Sequence, residues 1–490
     1  MKNLLILCII GLTSLAWGQE PGVLHPEKFE LERLRVLPVQ DRGRIKPFET
    51  MARESVLFLT GSYSFQGEEA VSFYLSLIEA KDLAEKKIIE VREPALRKSL
   101  GLPATERHFS LHQLEQPKLN QLLQPMNGLP PAQRKNLPSE QKAILELMDQ
   151  IQLLHLIQTG DHLLRSFQLA AEPYPFKISA ELIYNKTHPF RWTALGYLLL
   201  ALVLFLNAPN WVWVFLAGSS VLLHLGGFAL RVFITGFAPV TNMYGTMIWV
   251  SLGVALLTLL LLSIYQKDQR LRNLLSLLTV GSSFLLLLTE AMPLTLSPDL
   301  DPLVAVLRSN YWLTLHVLTI TLSYAAFTVT MLIGNAALVR VLFFSDLGNF
   351  KKDYAHYAYR MIQLGCFLLT VGIILGGVWA DASWGRFWGW DPKETWALIA
   401  DLGFLAILHA RTVGWVRDFS LLAWSTIAYL LVGMAWYGVN FILASGLHSY
   451  GFSSGGALAV GSFVAVQLGL FAAAWLKFQS LQKPEPGPNN

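Results

Sequence analysis

Trp384, Trp388 and Trp390 share one short stretch, Trp384-Gly385-Arg386-Phe387-Trp388-Gly389-Trp390-Asp391, which lies between two long apolar segments. Indoles bury a large flat area at low conformational cost, while each N–H still asks for a polar partner. A dense cluster therefore suits a large planar ligand at a wet boundary. Tryptophan also collects at membrane–water interfaces without binding anything. That explanation serves for one indole and is disfavoured for three at this spacing, closed by Asp391-Pro392. Asp391 is placed to fix the loop by accepting backbone or indole N–H groups and to cap the following helix, with Pro392 at the favoured first helical position.

Leaving aside His356, four histidines accompany the apolar part of the chain, and an imidazole within a span needs a partner, a cavity or a metal. His316 follows Trp312 by four residues, and His448 lies in Gly446-Leu447-His448-Ser449-Tyr450-Gly451. Both fall at the level of the tryptophan loop. Two imidazoles beside an aromatic wall meet the needs of a six-coordinate haem iron, one axial ligand above the ring and one below. His409 lies fourteen residues beyond Thr395, about 21 Å along a helix, which is too deep for the same iron and requires a second haem position. His224, followed by Gly226-Gly227 and Arg231, either pairs with His409 or is a hydrogen-bonded core residue, the latter being the better reading. His356 is read as a solvated residue of an inner loop.

The elements that must position these residues are membrane spans. Of 490 residues, 53% are hydrophobic and 15% charged, and the mean hydropathy is +0.43, too apolar for an ordinary soluble enzyme. The expected fold class is all-α: a polytopic transmembrane bundle of about nine spans, each near the ~20 residues that cross a hydrocarbon core. Their approximate extents are 191–207, 211–233, 245–265, 273–289, 311–343, 359–379, 395–410, 420–443 and 457–476. The formal charge of +4 is spread over short loops and gives no support to nucleic-acid binding. Cys8 and Cys366 form no CxxC pair, zinc site or disulfide framework.

Residues 1–18 read as a signal peptide, with an uncleaved anchor as the alternative. Residues 19–190 read as a mainly helical extracytoplasmic domain. Within it Ile144, Leu147, Met148, Ile151, Leu154 and Ile157 recur at helical spacing through Ser139–Phe167. His108, His112, His155 and His162 are expected to be solvated or packed, although His155 and His162 fit one helix face. Asp41-Arg42-Gly43-Arg44-Ile45-Lys46-Pro47 is read as a solvated basic loop, with a lipid headgroup or a partner as the sharper alternative. Residues 191–476 form the membrane domain, with the loop at 380–396, and 477–490 a cytoplasmic tail. Charge asymmetry gives the same orientation. With the N-terminal domain outside, the inner loops and tail hold Lys267, Arg270, Arg272, Lys351, Lys352, Arg411, Arg417, Lys477 and Lys483, and the outer loops only Arg308, Arg386 and Lys393.

The stretch Trp384–Trp396 resembles the tryptophan-rich WWD signature of haem-handling proteins. Asn310-Tyr311-Trp312-Leu313-Thr314-Leu315-His316 and the segment around His448 resemble the external histidine motifs of the CcsA (ResC) cytochrome c synthase subunits, and His409 that family's membrane histidine. Pro239-Val240-Thr241-Asn242-Met243-Tyr244 is similar to a further shared segment, which in many members is followed by Glu where this chain has Gly245.

This resemblance, over roughly residues 190–476, implies a holocytochrome c synthase of the CcsBA type (system II) in a bacterial inner membrane. Haem b, substrate and ligand at once, would cross the membrane by way of His409. It would then be held by His316 and His448 against Trp384, Trp388, Trp390 and Asp391, and joined to the CXXCH cysteines of an exported apocytochrome c. The family's second inner ligand comes from a CcsB (ResB) part that this chain lacks, which implies a separate CcsB-like subunit. The runners-up are a CcmC-like haem-delivery protein without ligase activity, a CcmF-like ligase subunit and a non-haem membrane transporter or structural subunit.

Overall fold

The computed structural model describes residues 26–80, 82–126, 128–129, 137–166, 175–264, 269–303, 308–350, 354–443 and 456–482. The proposed signal peptide at 1–18, Cys8 and His448 lie outside the described residues. The chain divides into two compact units, one of residues up to Thr187 with Phe233–Thr235 and Asp299–Pro302, the other of the remainder.

Among the described residues the first unit combines helices with three two-stranded antiparallel sheets, which the reading as mainly helical did not anticipate. In the first hairpin β1 (Pro38–Asp41) pairs β2 (Arg44–Pro47), with Asp41 opposite Arg44. The two residues between them, Arg42 and Gly43, have φ of 47° and 80°, as a two-residue turn matched to strand twist requires. Helix α1 (Phe48–Thr60) follows and ends at Gly61, whose N–H reaches Leu57 O. Next come α2 (Ala70–Glu79) and α3 (Ser139–Thr159). Ile144, Leu147, Ile151, Leu154 and Ile157 of α3 are buried and pack in one core with Phe48, Met51, Tyr74 and Phe109. The amphipathic stretch does not continue to Phe167 as one helix: Gly160, at φ 79°, stops it. His155 and His162 therefore do not share a face. His155 Nε2 meets Glu115 at 2.7 Å, and His162 Nδ1 meets Tyr74 OH at 2.7 Å.

The segment Asp41–Pro47 is not a solvated loop. Lys46 is fully buried, paired with Glu54 and with Asp41 at 2.7 Å. Arg44 grips Glu181 through two bonds of 2.8 Å, and Arg42 reaches Asp299 at 3.4 Å. Lys46 is held in the interior by the nearby acids Asp41 and Glu54 and Arg44 is partly buried against Glu181, since a buried charge persists only if paired; Arg42 at the turn stays exposed. Burial pushes the Glu54 carboxyl up to about 7, against the opposing pull of Lys46. Burial likewise lowers the His162 imidazole, with Asp41 opposing. The last helix of this unit is α4 (Pro175–Thr187).

The second unit is helical: α5 (Pro189–Phe205), α6 (Asn210–Thr235), α7 (Met243–Ile264), α8 (Gln269–Ala291), α9 (Leu318–Phe344), α10 (His356–Trp384), α11 (Pro392–Thr412), α12 (Asp418–Gly433) and α13 (Ala457–Gln482). Among the described residues eight helices are long and apolar enough to cross a membrane, one fewer than the nine expected. The difference is α11. Its 21 residues are long enough, about 31 Å, but Lys393, Glu394, Asp401 and Arg411 keep it too polar to count by composition. The helices meet through small residues and hydroxyls, the usual contacts where helices associate without a hydrophobic drive. Ser251 and Ser282 each donate to the other's carbonyl, at 2.8 and 2.7 Å. Ser283 and Ser276 of α8 donate to Ala194 O and Ala201 O of α5. Phe327 of α9 stacks on Phe404 of α11 at 3.8 Å, in a space that Gly365 of α10 leaves open.

Candidate functional site

Trp384 is the last residue of α10, not a loop residue. The helix ends because Gly385 takes φ 69° and returns its N–H to Asp381 O. The chain then crosses to α11, where Asp391 is the N-cap. Its carboxylate accepts from Lys393 N at 3.0 Å, and Pro392 opens the helix, the local arrangement that Asp-Pro-Lys-Glu suggested.

Glu394, which sequence reasoning passed over, organises the loop. Its Oε2 accepts from Gly389 N at 2.8 Å and from Asp391 N at 3.2 Å. Those two amides flank Trp390, which is left at φ 55° with its side chain 71% exposed. A left-handed conformation costs a bulky residue about 1–2 kcal/mol, and the two Glu394 bonds offset it. Arg386 also went unremarked. Its guanidinium folds over Gly389, where a Cβ would collide with it. There it lies 5.8 Å above the Trp384 ring and 3.5 Å from Glu394 Oε1. Trp388 and Trp390 meet edge to face, centroids 5.8 Å apart and planes at 87°, so they form a corner and not one flat face. The Trp388 Nε1 is buried and makes no hydrogen bond.

His316 lies in a π-helical turn, Leu313–Val317, that leads into α9. Such turns insert an extra residue and recur at functional sites. The turn is anchored upstream by Asn310, whose amide accepts from Ala238 N at 3.1 Å and donates to Gly236 O at 3.0 Å. His316 Nδ1 lies 2.8 Å from Gly372 O in α10. A carbonyl only accepts, so Nδ1 carries the proton and Nε2 the lone pair. Trp379 of α10 stands edge-on to the ring at 5.7 Å. Two residues before Trp379, the Phe387 ring of the tryptophan loop lies against Gly377. His316 and the loop are thus brought onto one helix.

The other candidates differ in their surroundings where these are described. His448 is outside the described residues; the second π-helical segment, Met434–Leu443, ends five residues before it. His409, in the last turn of α11, has an exposed side chain. It shares a helix face with Leu402 and Leu405, which are exposed as well. His224 is a core residue. It is fully buried, its Nε2 donates to Ile248 O at 3.0 Å, and its Nδ1 accepts from Tyr197 OH at 3.0 Å. With both nitrogens engaged it has no lone pair for a metal. His356 opens α10 and is exposed.

The segment Pro239–Tyr244 serves as a clasp. Asn242 accepts from Gly245 N at 2.8 Å and donates to Ser297 O at 3.1 Å, while Arg231 lies 4.8 Å over the Tyr244 ring. A Cβ at Gly245 would lie 3.1 Å from Pro239 O, so the glycine suits this tight turn.

Comparisons with known proteins match the part of the chain that carries His316 and the tryptophan loop. A family model described as cytochrome C assembly protein matches residues 240–448. Protein NrfI of Wolinella succinogenes is 34% identical over 306 residues, 57% of this chain and 32% of that protein. The cytochrome c biogenesis protein CcsA of Chlamydomonas reinhardtii is 42% identical over 161 residues, 31% of this chain and 44% of that protein. The protein of the same description from Guillardia theta is 34% identical over 244 residues, 44% of this chain and 78% of that protein. The chain thus spans less than half the length of the first two and most of the third.

Proposed function

Because the chain belongs to the CcsA family of cytochrome c biogenesis proteins, we propose that it holds haem at an external site between His316 and His448, beside the tryptophan loop, and presents it to the CXXCH cysteines of an apocytochrome c. One observation carries this reading: the bond from His316 Nδ1 to Gly372 O makes Nε2 the lone-pair nitrogen that an iron needs. The loop fits the same substrate. Trp390 exposes its ring, and the buried Trp388 N–H lacks an acceptor, which a ligand would supply.

Thioether formation adds each thiol S–H across a vinyl C=C of the porphyrin. Sulfur bonds to one carbon and hydrogen to the other, so no oxidant or reductant is consumed. The chain's share of the work is positional. Loop and histidines fix the ring while the thiols approach, and such placement supplies much of a bimolecular barrier. The incoming CXXCH histidine takes the place of one external ligand.

His409 is assigned to haem in transit, its exposed imidazole being open to a second histidine from a CcsB-like subunit. In this reading residues 19–190 lie outside a bacterial inner membrane and 477–490 inside.

The test is expression with and without a CcsB-like subunit beside a CXXCH reporter, in a host lacking its own maturation system. Covalent haem on the reporter is expected, lost in His316→Ala and reduced in His409→Ala. Haem bound to the membrane fraction with none attached to the reporter would make this a delivery protein. No haem absorption bands at all would make it a transporter or structural subunit of another kind.

A further inference from the structure

Three glycines of α10, Gly372, Gly376 and Gly377, face the site. In an α-helix the side chain four residues on leans toward the N-terminus and covers the earlier turn. Gly376 has no side chain, so the Gly372 carbonyl is open from the side, and His316 Nδ1 takes it at 2.8 Å. The room is close-fitting. A Cβ at 376 would lie 2.6 Å from His316 Cε1 and 3.1 Å from Nδ1. At the next position a Cβ would lie 2.6 Å from Cζ of Phe387. Gly372 itself lets α9 approach, since a Cβ there would come within 3.0 Å of Ile320 Cα. Adjacent backbone positions therefore seat the imidazole and the tryptophan loop.

We propose that Gly372 and Gly376 are positioning residues for the external site, holding His316 as the Nδ1–H tautomer so that Nε2 is its iron-binding nitrogen, in fixed register with the tryptophan loop seated on Gly377. This rests on the reading of His316 as an iron ligand. An imidazole whose far N–H is held by a carbonyl is better oriented and a stronger base, and both effects tighten its bond to a metal. A stronger donor also favours the ferric state and lowers the reduction potential.

The experiment uses the full chain with its CcsB-like partner, purified with haem. In Gly376→Ala the imidazole leaves the carbonyl, so free imidazole should displace His316 at about tenfold lower concentration, the worth of one hydrogen bond. The reduction potential should rise. Gly377→Ala, which displaces Phe387, should lower haem content while leaving both readouts near the parental values. Parental imidazole sensitivity and potential in a folded Gly376→Ala protein would overturn the inference. Should that variant not fold, the 15N spectrum of histidine-labelled, haem-free parental protein decides. His316, assigned by its loss in His316→Gln, is expected to carry its proton on Nδ1; a proton on Nε2 would overturn the proposal. His316→Ala separates the two levels of the argument. If its haem spectrum matches the parent, the ligand reading fails and the inference with it. If a ligand is lost there while Gly376→Ala changes nothing, the inference alone fails.

Discussion

Asp391 and Glu394 cap one helix reciprocally: the Asp391 carboxylate accepts from Lys393 N at 3.0 Å, while Glu394 Oε2 accepts from Asp391 N at 3.2 Å. The same Glu394 oxygen takes Gly389 N at 2.8 Å, so the cap of α11 and the shape of the tryptophan loop are one structure. An amide can accept the Lys393 bond as a carboxylate does. Asp391→Asn should therefore be mild, and Asp391→Ala should cost about 0.5–2 kcal/mol. Thermal unfolding and haem occupancy of the two variants test this, and equal damage in both would show that the charge matters and the cap does not.

His316 should behave as a ligand. Its replacement by Ala is expected to lower haem retention or open the iron to added imidazole, as read in the visible spectrum. Full retention, with reporter maturation at the parental rate, would remove His316 from the site.

His224 should behave as a core residue. Its substitution by Ala leaves the buried Tyr197 hydroxyl without its partner, which costs about 1–3 kcal/mol, while the Ile248 carbonyl loses the imidazole but keeps its bond within the helix. A lower melting temperature with unchanged haem bands is the expected pair of results. Altered iron ligation in a well-folded variant would contradict it.

The ionic cluster of the first unit gives a pH dependence. Glu54 is raised by burial to about 7 from 4.5, so between those values the folded state binds more protons than the unfolded chain. Stability contributed by this carboxyl is therefore present at low pH and lost as pH rises through that window, by up to ~1.4 kcal/mol per pH unit. His162, lowered by burial, acts in the opposite sense below its ordinary value of 6.5. The comparison with Glu54→Gln isolates the carboxyl. The variant should gain on the parent steadily as pH rises from about 4.5 to 7; parallel stability curves would show that Glu54 does not titrate there.

Much of the candidate site is legible along the chain because its signals are local. Apolar runs identify spans because a backbone in hydrocarbon must satisfy its own hydrogen bonds. Trp384, Trp388, Trp390 and the Asp391 cap fall within eight residues. Even there, Glu394 and Arg386 went unread, since their work depends on how the loop folds back on itself. Lys46 was misplaced for a related reason: a charge on a hairpin is ordinarily solvated, and only its acidic partners reveal that it is buried.

Composition and short-range spacing were enough to fix the membrane character, the aromatic loop and the positions of the membrane histidines, because those signals are local. How those histidines differ in kind became legible from the folded chain alone. His224 is consumed by Tyr197 and by Ile248, 27 and 24 residues away. His316 is held through one nitrogen by Gly372, 56 residues away, while the imidazole of His409 is left exposed. A side chain's chemistry is set by the groups that meet it in space, and the helix packing that brings those groups together has no local signature.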